Sequence, residues 1–197
     1  MAGVRQFDEE KVLSAVLDVF WRKGWQSTSM ADLAEAAEVQ RGSLYHAYGG
    51  KEALFLLAFE AYATRFLGNA AKALEAADAE TALRQFFQVA ISNMTSGTPA
   101  KGCLTTKTAT DADTIGPRIQ QRLRDLLDAL QLTISTALSA EPIQGDLALA
   151  PDEVAQVMVT FTRGLAVMER IYQEPERLHS TADSLVRLLV PSVRARA

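Results

Sequence analysis

Residues 28–55 read TSMADLAEAAEVQRGSLYHAYGGKEALF, and this stretch decides the fold. Ser29, followed three residues later by Asp32, is typical of a helix start because each residue's side chain satisfies the other's backbone amide. Residues 38–40 force a turn before a second short helix, which Gly49 ends. Two short helices joined by a three-residue turn predict a helix-turn-helix.

Helical spacing continues on both sides of this stretch. Upstream, Asp8 is suited to cap a helix whose apolar stripe ends before Gly24. Downstream we expect a long helix from 51 to about 76, followed by helices at 80–94, 101–112, 118–140, 152–172 and about 181–190. No strand alternation or internal repeat is present. The sequence therefore predicts an all-α protein of about nine helices, with a three-helix domain at 1–50 and a larger helical bundle at 51–197.

Composition excludes several classes of protein. The 197 residues are 48% hydrophobic and 22% charged, as in ordinary globular proteins. No apolar run approaches the ~18 residues of a membrane span, and the N-terminus lacks the apolar core of a secretory signal. With a single cysteine, Cys103, no disulfide within the chain is expected. We expect a cytoplasmic protein without a membrane partner.

Net charge does not indicate nucleic-acid binding. The chain carries a formal charge of −4, and residues 1–52 contain six basic and eight acidic side chains, 6 − 8 = −2. A prediction of DNA binding therefore depends on the local arrangement of side chains.

The second helix of the helix-turn-helix carries the chemistry of a DNA reader. The N-terminal residues of that helix enter the major groove, where Arg41 is suited to guanine and Gln40 to adenine. Gly42 removes a side chain where backbone and DNA approach closely. Hydroxyl and ammonium groups nearby are suited to phosphate oxygens. The predicted DNA-contact residues are Ser29, Gln40, Arg41, Gly42, Ser43, Tyr45, His46 and Lys51. Patterning alone leaves open a three-helix unit that does not touch DNA.

The same stretch resembles the N-terminal domain of the tetracycline-repressor (TetR) family. The matching positions are Thr28-Ser29, Ala31, Ala34, Val39, the run from Gly42 to Tyr45, an aromatic residue at 48, Gly49 and Lys51-Glu52. The resemblance implies a larger C-terminal domain that dimerises and binds a small effector. It therefore implies a homodimeric transcriptional regulator of double-stranded operator DNA. Repression is the commoner mode, and activation remains open.

Four positions depart from the family pattern. Glu38 stands where the turn usually has glycine, so a side chain must tolerate the turn geometry. Gln40 replaces the usual Ser or Thr, Ala47 replaces a frequent His, and Gly50 replaces a Ser helix cap. We expect Gln40 to carry operator preference and one phosphate contact to be absent at Ala47.

The C-terminal half is less specific. Val154, Met158 and Leu165 belong to an apolar stripe on the 152–172 helix, and Leu185, Leu188 and Leu189 form another on the last helix. We expect these last two helices to form the homodimer interface, although core packing within one subunit explains the stripes equally well. The effector-pocket candidates are Phe66, Phe87, Met94, Cys103, Thr106, Thr110, Met158 and Phe161, because Met and Phe walls suit an apolar or adaptable ligand and the threonines add polar groups.

Cys103 has two interpretations. It lies near a predicted helix start with Lys107 four residues later, and both features stabilise a thiolate. The Gly-Cys-Leu stretch resembles a TetR subgroup in which this segment borders the effector site and some cysteines sense electrophiles or oxidants. Simple burial as a small apolar side chain is the alternative.

Other functions have little support in the sequence. His46 and His179 are far apart and lie in no recognisable metal or catalytic spacing, so we expect no enzyme activity, metal or cofactor. The pair Asp111 and Asp113 is most simply a helix end or a solvated loop. A ligand-binding or scaffolding protein that has lost DNA binding is an alternative favoured only by Glu38 and the acidic N-terminal charge.

Overall fold

The structure is a computed structural model that describes residues 8–111, 113–141 and 143–191. Within these ranges the chain forms nine α-helices and no strand, which confirms the all-α prediction. The helices are α1 (Glu9–Lys23), α2 (Met30–Ala36), α3 (Arg41–Tyr48), α4 (Lys51–Ala73), α5 (Ala79–Thr95), α6 (Leu104–Thr110), α7 (Pro117–Leu138), α8 (Pro151–Tyr172) and α9 (Pro175–Leu189). A single 3₁₀ turn occupies Ile143–Asp146.

The ends of the N-terminal helices follow from local chemistry. The Asp8 carboxylate accepts the Glu10 amide at 3.1 Å and so caps α1. Gly24 and Gly49 end α1 and α3 with φ of 80° and 82°, a conformation that side chains disfavour. The capping box predicted at the start of α2 is present, since the Asp32 amide donates to Ser29 Oγ at 3.2 Å and the Ser29 amide donates to Asp32 Oδ2 at 2.8 Å. These predictions are confirmed.

Two predicted boundaries were wrong. The last helix begins at Pro175, six residues before the predicted start, because proline is well accommodated in the first turn, where its missing amide has no partner to lose. The helix predicted from Lys101 begins only at Leu104, because Gly102 has a φ of 71° and stands outside the helix. Its predicted last residue, Ala112, lies outside the described residues.

The chain divides into two compact units. The first comprises the residues up to Arg65 together with Lys107–Arg124. Its core is aromatic: the rings of Phe20 and Phe55 lie 5.0 Å apart edge to face, and the Trp25 ring lies 5.6 Å from that of Phe55. These contacts hold α1 against α4 and give the small helices a firm support.

The second unit comprises Phe66–Thr106 and the residues from Asp125 onward. Within it α5 packs against both α8 and α9. The Phe87 ring meets the Phe161 ring of α8 at 5.7 Å, and Arg84 of α5 pairs with Asp183 of α9. Helices α4 and α7 each contribute residues to both units. The division at residue 50 predicted from the sequence concerns function and stays a prediction.

Candidate nucleic-acid interface and effector site

Helix α3 has one buried side and one exposed side. Leu44 and Tyr48 point inward and are 0% and 6% exposed. Gln40, Arg41, Gly42, Ser43, Tyr45 and His46 are all exposed. The amphipathic pattern of α3 therefore places every residue predicted to contact DNA from this helix on one accessible surface, and we call these six residues the α3 face.

The two side chains predicted to read bases are available to do so. Gln40 caps α3 through its backbone position, and its side chain makes no capping hydrogen bond. The Arg41 guanidinium lies 5.6 Å from the centre of the Tyr45 ring, a cation–π contact that limits the conformations of both side chains. A pre-ordered arginine loses less conformational entropy when it binds a base edge.

Ser29 and Asp32 make the start of α2 less open to phosphate than the sequence suggested. Besides capping the helix, the Ser29 hydroxyl donates to Asp32 Oδ2 at 2.7 Å. The Lys23 ammonium, together with the amide and hydroxyl of Ser29, holds the pKa of the Asp32 carboxyl well below its usual range. Asp32 is therefore an anion at neutral pH, and a phosphate at this helix start would meet its charge beside that of Lys23.

Lys51 is engaged with the protein backbone. Its ammonium donates to the carbonyl of Trp25 at 2.8 Å and to that of Thr28 at 2.9 Å, and it lies 4.3 Å from the Trp25 ring centre. Burial lowers the pKa of Lys51, and the negative charge of Asp111 partly opposes this. Two of its three donors hold the loop before α2, so one donor remains for the predicted phosphate contact.

The turn before α3 has the geometry expected for a position that normally carries glycine. Glu38 adopts a φ of 55°, in the left-handed region, and the next amide, that of Val39, donates to the Ala34 carbonyl at 3.0 Å. A side chain in this region costs about 1–2 kcal/mol. The prediction that Glu38 must tolerate a strained turn is confirmed.

The loop between α1 and α2 is held by residues distant in sequence. Asp111 Oδ2 accepts the Trp25 amide at 3.0 Å, and the Trp25 indole donates to the Thr114 carbonyl at 3.1 Å. Lys107 donates to the carbonyls of Trp21 and Arg22 at 2.8 and 2.6 Å, where the negative end of the α1 dipole attracts a cation. Asp111 directly follows the end of α6, as the helix-end interpretation predicts. The alternative of a solvated loop was wrong, because its carboxylate anchors the loop that leads into α2.

The helix-turn-helix and the helical second unit match known family descriptions. Residues 12–58 match the bacterial regulatory proteins of the tetR family, and residues 79–185 match the tetracyclin repressor-like C-terminal domain. The chain belongs to the tetR family. It is accordingly a DNA-binding transcriptional regulator of the helix-turn-helix class.

Individual TetR relatives align over most of the chain. The HTH-type transcriptional repressor ComR of Escherichia coli strain K12 is 25% identical over 186 residues, which cover 92% of this chain and 89% of ComR. A cysteine-substituted variant of the TetR-family regulator CifR, solved with a 26-base-pair operator duplex, has a TM-score of 0.83 and 26% identity. That alignment covers 95% of this chain and all of the CifR chain. The reduced form of E. coli NemR, at 19% identity, has a TM-score of 0.82 and shares the fold.

The effector-pocket candidates of this TetR chain are mostly well packed. Phe87, Met94 and Met158 are at most 2% exposed, and Phe66 is nearly buried at 9%. Thr106 lies on α6, and its buried hydroxyl has no hydrogen-bond partner in the part of the chain that the structure describes. Thr110 does not join this group: it is exposed, belongs to the first compact unit, and donates to the Lys107 carbonyl at 2.7 Å.

Cys103 is buried, at 7% exposure, immediately before α6. The argument that Lys107 would stabilise its thiolate was wrong, because the Lys107 ammonium donates to the carbonyls at the end of α1. This burial favours the packing interpretation of Cys103.

A groove of about 730 Å³ lies between α4 and α5 in the second unit. Its lining mixes apolar surface, from residues such as Phe66, with the carboxamides of Asn69, Gln85 and Gln88. Phe66 is the one predicted pocket residue that reaches it. The sequence offered no signal for this groove, since its polar residues look like an ordinary solvated helix surface.

Helix α8 has two apolar sides with different surroundings. Val154, Met158 and Leu165, all predicted for the dimer stripe, are at most 3% exposed and belong to the core of one subunit. The outward side carries Met168 at 40%, Ile171 at 63% and Tyr172 at 43% exposure, and Leu188 of α9 is 72% exposed. We call Met168, Ile171, Tyr172 and Leu188 the outward apolar patch. Its three α8 members lie at the end of that helix, and Leu188 lies near the start of α8, because the Leu189 carbonyl accepts the Ala148 amide at 2.8 Å.

No described helix is both long and apolar enough to cross a membrane. No group of three or more His, Cys, Asp or Glu side chains placed to hold a metal ion occurs in the described ranges.

Proposed function

We propose that the protein is a homodimeric repressor that binds double-stranded operator DNA through the α3 face and is released by a small-molecule effector. The observation that carries this proposal is the α3 face itself, where Gln40 and Arg41 stand exposed at the start of a helix anchored by buried Leu44. Similarity to ComR, which is named a repressor, and to CifR, which was solved with operator DNA, supports it. Such a protein acts in the cytoplasm and needs no catalytic role.

Dimerisation is proposed through α8 and α9. Large apolar side chains exposed to water mark an interaction surface, and the outward apolar patch places them near both ends of the α8–α9 pair. A two-fold operator requires two readers about 34–36 Å apart, one DNA turn. An isologous contact of α8 and α9 with a second copy would supply the two-fold axis.

Effector release requires that the ligand prefer the state that does not bind DNA. Helix α4 begins directly after the α3 face and continues into the second unit, so it is the proposed lever. The effector pocket is proposed among Phe66, Phe87, Met94, Cys103, Thr106, Met158 and Phe161, with Thr110 removed from the set because it belongs to the first unit.

The decisive experiment is a binding titration with DNA flanking the protein's own gene. Arg41→Ala should weaken specific binding by about 10- to 100-fold, since a bidentate arginine–guanine contact discriminates by ~1–3 kcal/mol. Binding to unrelated DNA should fall far less. The matched control is Arg124→Ala, an exposed arginine of α7, a helix proposed neither for DNA contact nor for the dimer, and it should leave both affinities unchanged. Equal losses on specific and unrelated DNA would remove Arg41 from base reading, and no specific binding by the unsubstituted protein would overturn the proposed function.

A further inference from the structure

Glu169 is a buried carboxylate without a partner. It lies on the inward side of α8 beside Thr162, Leu165 and Ala166, and it is only 4% exposed. Among the described residues, the charged group that acts on its carboxylate is the neighbouring Arg170, and no hydrogen bond to the carboxylate contributes to its pKa. Taking a carboxylate out of most of its water without a hydrogen-bond donor is costly.

The position of Glu169 in the helix makes the anion less favourable still. Glu169 lies in the last turn of α8, where the terminal carbonyl groups give the helix end a partial negative charge. Burial raises the pKa of the Glu169 carboxyl, and the Arg170 charge opposes this only in part. The partial negative charge of the helix end and the carboxylate itself would both attract a cation placed against them.

Space for such a group exists beside Gly102. A Cβ atom at Gly102 would lie 3.7 Å from Glu169 Oε2 and within 4 Å of no other described atom beyond its chain neighbours. The Gly102 amide donates to the Met94 carbonyl at 2.8 Å, so it does not serve the carboxylate. Met94, the adjoining Cys103 and Thr106, whose hydroxyl lacks a partner, are all effector-pocket candidates. The carboxylate therefore faces the segment already proposed to border the effector.

We propose that Glu169 binds the cationic group of the effector, an ammonium or amidinium carried on an apolar body, in the space beside Gly102. This inference rests on the proposed effector-responsive function and specifies the chemical class of the ligand. The carboxylate supplies a charge-assisted hydrogen bond, and the end of α8 adds its partial negative charge. Neutral and anionic molecules of the same shape leave the carboxylate unpaired and bind more weakly.

The first test measures ligand class without DNA. Thermal unfolding of the full chain is followed with butylamine and benzylamine and with the equally shaped butanol and benzyl alcohol. The amines should raise the melting temperature and the alcohols should not.

In Glu169→Gln the affinity for the amines should fall by roughly tenfold or more, because one charge-assisted hydrogen bond is lost. The control Glu174→Gln, at an exposed position just after α8, should keep the full amine response. Equal responses to amines and alcohols, no response to either, or an unchanged response in Glu169→Gln would each overturn the inference.

A second test needs no ligand. Because the pKa of Glu169 is raised, the folded state is penalised at pH values above that pKa and the penalty disappears below the ordinary value of 4.5. Glu169→Gln should therefore raise the melting temperature at slightly alkaline pH, and the gain should shrink as the pH falls toward 4.5. A lower melting temperature at alkaline pH would mean that the carboxylate has a stabilising partner, and the inference would be wrong.

The two proposals fail separately. Loss of the specific DNA complex in the unsubstituted protein overturns the repressor proposal, while the amine titration, which contains no DNA, still decides the cation site. If the amines stabilise the protein through Glu169 and also dissociate the operator complex, both proposals are supported.

Discussion

At the scale of single residues, two positions in or beside the α3 face carry residue types that the local backbone conformation does not favour. Glu38 holds a left-handed conformation that glycine would adopt without cost. Gly42 has the opposite character, since it occupies an ordinary helical position where a Cβ would meet nothing within 4 Å. Glycine at this second position of α3 costs about 0.4–1 kcal/mol relative to alanine, because it gives the unfolded chain more conformational freedom. Nothing in the described chain explains that cost, whereas close approach of a DNA backbone does.

Gly42→Ala should therefore separate stability from function. We expect the free energy of unfolding in urea to rise by about 0.5–1 kcal/mol and the operator affinity to fall several-fold, because the new methyl group stands between α3 and the DNA. The control Gly68→Ala lies on α4, also with nothing within 4 Å of a new Cβ, and should show the gain in stability alone. Unchanged or tighter operator binding by Gly42→Ala would show that Gly42 does not face the DNA backbone.

At the scale of elements, the short segment around α6 supplies two side chains that hold other parts of the first unit in place. It supplies Lys107, which holds the end of α1, and then Asp111, which holds the loop from Trp25. The same loop leads into α2 and is held on its other side by Lys51. Helix α6 begins in the second unit and ends in the first. Its sequence therefore leads from the proposed effector pocket to the residues that hold the loop before α2.

Asp111→Ala should weaken that support. Two backbone amides, of Trp25 and Gln26, lose a charged acceptor, so we expect a loss of about 1.5–3 kcal/mol in the free energy of unfolding, measured in urea. Operator affinity should fall in parallel, because the loop sets the entry into α2. Asp113→Ala removes a neighbouring exposed carboxylate and serves as the control, with little change expected in either quantity. Similar behaviour of the two variants would contradict the anchoring role of Asp111.

At the scale of the whole molecule, the proposed function depends on a second copy of the chain. The outward apolar patch is the surface that association would cover, with Leu188 its most exposed member. Its members are spread along α8 and α9, so a single charge among them would be buried without a partner on association.

Leu188→Glu should therefore yield a monomer. Sedimentation velocity should report the mass of one chain where the unsubstituted protein sediments as a dimer, and operator affinity should fall by two orders of magnitude or more, roughly the avidity lost with the second reader. Leu132→Glu on α7 is the control, because Leu132 is comparably exposed at 68% but lies on a helix not proposed for the interface. A dimeric Leu188→Glu protein would mean that dimerisation uses another surface.

Local sequence by itself determined the helices and the place of the DNA reader. The capping box at Ser29 and Asp32, the Asp8 cap and Gly49 act within four residues along the chain, so their geometry follows from short-range hydrogen bonding. The same holds for the α3 face, since Leu44 and Tyr48 are four residues apart on the buried side of the helix, and Gly42 and His46 are four residues apart on the exposed side.

Only the tertiary structure decided which of these side chains have partners. Asp111 and Trp25 are separated by 86 positions in the sequence, and no local pattern connects them. The apolar residues of α8 look alike in the sequence, yet Met158 is core and Ile171 is exposed, because burial depends on which side of the helix α5 and α9 cover. Glu169 reads as a solvated residue near a helix end until packing buries it beside Gly102. Capping and periodicity are properties of neighbours along the chain, whereas burial and charge pairing are properties of neighbours in space.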